Sequence, residues 1–129
     1  RPDRENPVST LPVDPTDAQI QAIVDDGREG PVVMLNLNHY RDRDQYLRYG
    51  VVALAALESV GARVLWQTEV EQTVIGDDRD QYDEVISVWY PNRSAFLGLM
   101  DFPGYLEATD HRLAALDHAT LLALTPPPG

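Results

Sequence analysis

The sequence predicts an α+β domain in which four strands form one antiparallel sheet and two long helices cover a single face of it. Three observations carry that expectation. Apolar runs of strand length alternate with helix-period segments in the order strand, helix, strand, strand, helix, strand. Capping residues stand where each helix must begin. A chain of 129 residues with 43% hydrophobic content supports one packed core and is too short for two ordinary domains.

Residues 1–15 carry Pro2, Pro7, Pro12 and Pro15 among charged and small residues, and read as an extended arm. The domain proper is expected over residues 16–125, with 126–129 as a tail. A short helix opens it: Thr16 caps, Gln19 completes a capping box, Ile20, Ile23 and Val24 share a side, and Gly27 ends it. Gly30 and Pro31 reset the chain before the first strand, residues 32–38. Asp42 and Gln45 repeat the capping-box spacing ahead of a long helix. Its broad apolar face combines Leu47, Val51 and Leu54 with Tyr46, Gly50, Ala53 and Leu57.

Gly61 is placed to end that helix in the left-handed conformation. Residues 62–76 read as a long irregular strand, and 76–80 as a polar turn. Residues 83–90 form a third strand able to pair with the second as a hairpin. Pro91 stops it, and Asn92 caps a helix expected to bury Phe96, Leu97 and Met100. A break at 101–104 restarts the helix through Tyr105, Leu106, His111 and Arg112. Residues 119–124 supply the fourth strand before Pro126, Pro127 and Pro128.

Two helices cover one face of a four-stranded sheet, so the other face must be buried by something else. Pairing with a second copy buries both such faces with twofold symmetry, which predicts a homodimer.

Composition narrows the function. Twenty-one acidic residues face ten arginines and no lysine, a formal charge of -11 that repels nucleic acid and anionic lipid. Neither partner is expected. No run approaches the roughly twenty apolar residues of a membrane helix, and residues 1–11 lack a signal-peptide core. The absence of cysteine removes disulfides, thiolate metal sites and cysteine nucleophiles, and fits a cytoplasmic location. The three histidines fall in separate elements without an HExxH or His-x-x-x-His pair, so no metal is expected. Nucleotide-binding glycine spacing and a GxSxG elbow are both missing, and no cofactor is expected.

Several short motifs occur in order: Pro31 to Leu37, Tyr46 to Gly50, Gly61 to Leu65, Ile75-Gly76, Trp89-Tyr90-Pro91 with Ala95-Phe96, Pro103 to Tyr105, and His111-Arg112 through Leu116. Through them the chain resembles, over residues 15–124, the bacterial proteins catalogued as domain of unknown function 1330. That family sits within the dimeric α+β barrel superfamily. The resemblance implies a ferredoxin-like βαββαβ fold, a dimer, and a pocket between sheet and helices. The superfamily includes cofactor-independent monooxygenases, polyketide cyclases, lactone isomerases, a hydroxynitrile lyase and haem-degrading enzymes, so fold alone does not select a reaction. Asn92 replaces the usual Ser after Tyr90-Pro91, an exchange of one helix cap for another. Asn38-His39-Tyr40 replaces an apolar-basic-aromatic sequence and introduces a titratable group.

Within this frame the candidate catalytic residues are His39, His111, Asn36 and Tyr46. His39 stands at the carboxyl end of the first strand, and histidine is the usual general base near neutral pH. His111 is a second acid/base candidate, although a cation near a helix end also has a purely structural explanation. Asn36, an amide inside an otherwise apolar strand segment, either donates to an oxyanion or ties the strand to neighbouring backbone. Tyr46 would steady oxyanion charge beside it. Tyr40, Trp66, Trp89 and Tyr105 could wall a small ligand, or simply pack. Arg63 and Arg112 could bind a carboxylate or enolate. His118, beside Asp117, reads as a surface turn residue. The expected function is a cofactor-independent enzyme of a carbonyl-bearing or polyketide-like metabolite, acting as cyclase, isomerase or lyase. A cofactor-independent monooxygenase and a non-catalytic ligand-binding dimer are the alternatives.

Overall fold

The structure is a computed structural model that describes residues 11–128. Its elements are helix α1 (Asp17–Asp25), strand β1 (Val32–Tyr40), helix α2 (Arg43–Ser59), strand β2 (Arg63–Glu69) and strand β3 (Glu84–Tyr90). Helix α3 (Arg93–Leu97), helix α4 (Tyr105–Ala115) and strand β4 (Leu116–Leu124) complete the chain. The strands form one sheet in the order β2-β3-β1-β4, every neighbouring pair antiparallel. This is the ferredoxin-like βαββαβ fold.

Local chemistry explains most boundaries. Thr16 accepts from the Gln19 amide while the Gln19 side chain accepts from the Thr16 amide, closing the expected capping box at α1. Asp42 accepts from the amides of Asp44 and Gln45 at the start of α2. The Gln45 side chain does not return the bond and is turned to α4 instead. Gly61 takes φ +78° after α2, a left-handed conformation that favours glycine. Asn92 caps α3 through the Ala95 amide at 2.8 Å.

Several expectations are corrected. Strand β1 runs on through His39 and Tyr40. Strand β2 ends at Glu69, and residues 70–83 form a longer connection than a tight hairpin, with one 3₁₀ turn over Asp78–Asp80 capped by Asp77. Side-chain bonds of Thr73, Asp77 and Gln81 satisfy backbone groups of this loop that have no sheet partner. After α3, Leu99 is the buried residue and Met100 is 44% exposed, because a 3₁₀ turn over Gly98–Asp101 rotates the apolar positions. Helix α4 passes directly into β4 at Leu116, three residues before the expected start. His118 therefore lies inside a strand and is only 4% exposed, not on a surface turn.

The expected arm over residues 1–15 lies outside the described residues up to residue 10. Its described end runs beside β4, where the Pro12 carbonyl accepts from the Ala119 amide at 3.0 Å.

The core lies between the sheet and the helices, where Val32, Met34, Val88 and Tyr90 meet Ala56, Leu57 and Leu99. Directly paired residues share a face. Met34, Asn36 and Asn38 therefore face the helices with Val88, Ile86 and Glu84, while Leu35, Leu37 and His39 face the opposite side with Ser87, Val85 and His118. No helix among the described residues covers that outer side. A register shift between Val64 and Trp66 turns Trp66 to it as well.

Candidate active site

A cavity of about 690 Å³ lies between the inner sheet face and the helices, a size suited to a small organic ligand. Its floor includes Asn36, Glu84, Ile86 and Val88 of the sheet. Helix α2 contributes Tyr46, Tyr49 and Gly50, and α4 contributes Tyr105, Thr109 and Arg112. Asp14, Pro15 and Ile20 close one side. Leu47, Val51 and Leu54, expected as part of the buried face of α2, are 54%, 73% and 59% exposed. They line the cavity and give it an apolar mouth.

One end is polar. Glu84 is 5% exposed, so its carboxyl must be compensated by donors. Its Oε1 accepts from the Tyr40 hydroxyl at 2.5 Å; its Oε2 accepts from Arg43 Nη2 at 3.0 Å and from Gln67 Nε2 at 3.3 Å. Asn38 Nδ2 donates in turn to the Tyr40 oxygen at 3.4 Å. Strand periodicity builds this end: Glu84 precedes Ile86, Val88 and Tyr90 at alternate positions of β3, so it points to the same side as the apolar core.

A file of phenols runs from there along the helices. Tyr40 and Tyr46 have ring centroids 5.1 Å apart, Tyr46 and Tyr49 5.3 Å, and Tyr49 and Tyr105 6.0 Å. The Tyr49 and Tyr105 hydroxyl oxygens lie 2.9 Å apart. Burial pushes the Tyr40, Tyr46, Tyr49 and Tyr90 hydroxyls above the ordinary phenol value, because the phenolate would lose water without gaining a comparable partner. For Tyr46 the nearby Arg112 charge opposes this in part. These phenols stay protonated at neutral pH; the Tyr40 hydroxyl donates to Glu84, and those that line the cavity are suited to hold developing negative charge on a substrate oxygen.

The residues expected from sequence separate into three groups. Asn36, Tyr46, Tyr105 and Arg112 line the cavity, and Tyr40 stands behind it on Glu84. Asn36 Nδ2 donates to the Ile86 carbonyl at 3.2 Å and the Met34 carbonyl at 3.4 Å, so the amide also serves the strand backbone. His111 does not line the cavity: its Nδ1 lies 2.8 Å from Gln45 Oε1 and joins α4 to α2. His39, Arg63, Trp66 and Trp89 lie on the outer face. There the His39 ring stacks on His118 at 4.8 Å with Nδ1 3.4 Å from Asp83, and the Arg63 guanidinium sits 4.4 Å from the Trp89 ring. The cause is alternation, which sends His39 to the side opposite Asn38. Glu84, Arg43 and Gln67 were missed. The signal for Glu84 was available, as a carboxylate in phase with the apolar positions of its strand.

Among the described residues, no group of three or more His, Asp or Glu side chains is arranged to hold a metal ion.

Similar architectures are known. With a TM-score of 0.53 and 13% identity, over 78% of this chain and 96% of the other, the fold matches SnoaB, a cofactor-independent oxygenase from Streptomyces nogalater. It also matches a dimeric ferredoxin-like protein of unknown function from Thermobifida fusca, with a TM-score of 0.50 and 11% identity over 77% and 93% of the two chains. The class is therefore that of ferredoxin-like α+β proteins. The RPA0582 protein of Rhodopseudomonas palustris, a protein of unknown function, is 32% identical over 93% of this chain and 100% of its own, with a TM-score of 0.86. The chain belongs to the family of that protein. Neither a family model nor a curated protein matches it.

Proposed function

We propose that the protein is a cofactor-independent enzyme that performs acid/base chemistry on a carbonyl-bearing or polyketide-like small molecule held in this cavity, as a cyclase, isomerase or lyase. The observation that carries the proposal is a buried carboxylate, Glu84, at the polar end of an apolar cavity lined with protonated phenols. The apolar walls take the body of the substrate. Glu84 removes a proton from the carbon beside the carbonyl, with Tyr40, Arg43 and Gln67 fixing its orientation. The electron pair of the broken C–H bond moves to the carbonyl oxygen as an enolate, which the phenols of Tyr46, Tyr49 or Tyr105 stabilise by donation. Return of the proton to another carbon gives isomerisation, and attack of the enolate carbon on a second carbonyl gives ring closure. In this reading Glu84 takes the role that residue type alone suggested for His39 or His111.

The test is solvent-deuterium incorporation into a panel of β-dicarbonyl compounds, followed by NMR. The wild type is expected to accelerate exchange at the activated carbon, and Glu84→Gln to lower that rate by about 10²–10⁴-fold while keeping the circular dichroism of the fold. Equal exchange by both proteins would defeat the proposal. Oxygenation, the chemistry named for SnoaB, is distinguished by dioxygen uptake during turnover. A non-catalytic ligand-binding dimer predicts binding without exchange in either protein.

The homodimer belongs to the same proposal. Leu35, Leu37 and Leu122 share the outer face with Trp66 and Trp89, Leu122 and Trp66 being 45% and 50% exposed. A second copy applied to this face would cover them, and a protein of the same fold from Thermobifida fusca is described as dimeric. The finer family assignment, domain of unknown function 1330, is also proposed, on the ordered motifs from Pro31 to Leu116. No helix among the described residues is long and apolar enough to cross a membrane; a cytoplasmic location is proposed on cysteine usage alone.

A further inference from the structure

Arg112 serves two parts of the molecule at once. Its side chain is 16% exposed and lines the cavity beside Tyr46, Tyr49 and Thr109. Its hydrogen bonds, however, go to the arm: Nη1 donates to the Val13 carbonyl at 2.7 Å and to Asp14 Oδ1 at 2.9 Å. Nε and Nη2 have no acceptor among the described residues. A guanidinium presents five donors in a planar fork matched to a carboxylate, so this one is under-used.

The part it holds is built mostly from exposed residues. Asp14, Pro15, Asp17 and Ile20 form one wall of the cavity, yet α1 contains no fully buried residue. The attachments of the arm and α1 to the body include the Pro12–Ala119 backbone bond, an Asp26–Arg93 ion pair at 3.7 Å and packing of α1 against α3. Asp14 itself is 52% exposed. An ion pair with one partner so open to water is weak and is given up at little cost. The contrast with the other end of the cavity is direct, because Arg43 is committed to the enclosed Glu84 carboxylate.

We infer that the cavity's ligand carries a carboxylate that is received by Arg112, and that Asp14 is an internal stand-in displaced when the ligand enters. This rests on reading the cavity as a ligand site. It narrows the substrate class to a carboxylate-bearing molecule with an apolar body, oriented with its acid group toward α4 and the arm. The same exchange loosens the arm, so ligand entry and movement of the wall formed by Asp14, Pro15 and Ile20 are one event. The phenols of Tyr46 and Tyr49, which feel the Arg112 charge, are placed near the bound anion.

A matched pair of probes tests this: 2-naphthoate and its uncharged analogue 2-naphthamide, titrated into the ¹⁵N-labelled full chain and followed by NMR. The wild type is expected to bind the acid more tightly than the amide. Asp14→Asn should raise affinity for the acid about three-fold, the scale of a released exposed ion pair, and leave the amide unchanged. Asp25→Asn, an equal charge change on α1 away from Arg112, should alter neither. Arg112→Gln should erase the preference for the acid while the amide still binds. Equal binding of acid and amide by the wild type overturns this inference and leaves the ligand cavity standing. Binding of neither probe overturns both. An unchanged affinity for the acid in Asp14→Asn overturns the stand-in role even if Arg112→Gln fails to fold.

Discussion

Asn38 and His39 are neighbours on β1 and occupy different worlds. Asn38 is 1% exposed on the inner face and donates to the phenol that holds Glu84. His39 stacks on His118 on the outer face, its side chain 34% exposed and its Nδ1 near the open Asp83 carboxylate. One strand therefore supplies both an enclosed network, in which a single carboxylate receives three donors, and an outer cluster in which the buried His118 ring meets the half-buried His39 and the exposed Asp83. The difference teaches that residue type and enclosure point to different candidates on one strand. The proposed site follows the compensated carboxylate, because a carboxylate removed from water is retained in a fold only when groups around it offset the lost solvation.

The comparison breaks first on activity. Glu84→Gln is expected to lose about 10²–10⁴-fold in carbonyl proton exchange, while His39→Ala retains the rate within about two-fold. The reverse pattern in the same deuterium assay would move the chemistry to the outer face. Next in size is the outer face itself. Leu35→Asp places a charge where the proposed partner packs, at a cost of about 3 kcal/mol or more per interface side. Sedimentation should then show the mass falling toward 14.4 kDa, and an unaltered mass would argue against that face as the interface.

Alkaline pH sharpens the inner face further. Tyr49 and Tyr90 have folded-state values raised above the ordinary phenol value of 10.0, so above that pH the unfolded chain releases protons that the folded chain retains. Their contribution to stability is complete below about pH 10 and is lost as pH rises beyond it, by up to about 1.4 kcal/mol per pH unit for each buried phenol. Urea midpoints measured between pH 9 and 11 should therefore fall only above pH 10. The smallest effect is expected from Tyr49→Phe, which removes one partner of the Tyr49–Tyr105 pair and costs about 1 kcal/mol, read as a lower urea midpoint at neutral pH. That variant should also show a shallower alkaline decline than the wild type.

Strand and helix order was legible because each element carries its own local signal. The capping boxes, the apolar runs and Gly61 each act within a few residues. The inner position of Asn36 followed from alternation alone. What could not be read was the handoff from α4 to β4: no breaker separates them, so the strand begins at Leu116 and draws His118 into a buried position. The site was half legible. Asn36, Tyr46, Tyr105 and Arg112 reach the cavity. His39 was expected by chemistry, when the period of two already assigned it to the other face. The Glu84 network joins β1, β2, β3 and α2, and its Arg43 and Gln67 donors lie far from Glu84 in sequence, so their convergence depends on strand order and not on spacing.

The bond from the Ala119 amide to the Pro12 carbonyl has a consequence for colony-like growth of the sheet. Strand β4 is an edge, and an open edge is a template for runaway polymerisation. Here the arm already occupies part of that edge near its beginning. At its far end Pro126, Pro127 and Pro128 offer no N–H for an incoming strand to use. Between them, Leu121–Leu124 is the exposed stretch of the strand, too short to seed a fibre by itself. Removing the described arm segment would lengthen this open edge, so the same few residues shield a sheet edge and form one wall of the cavity.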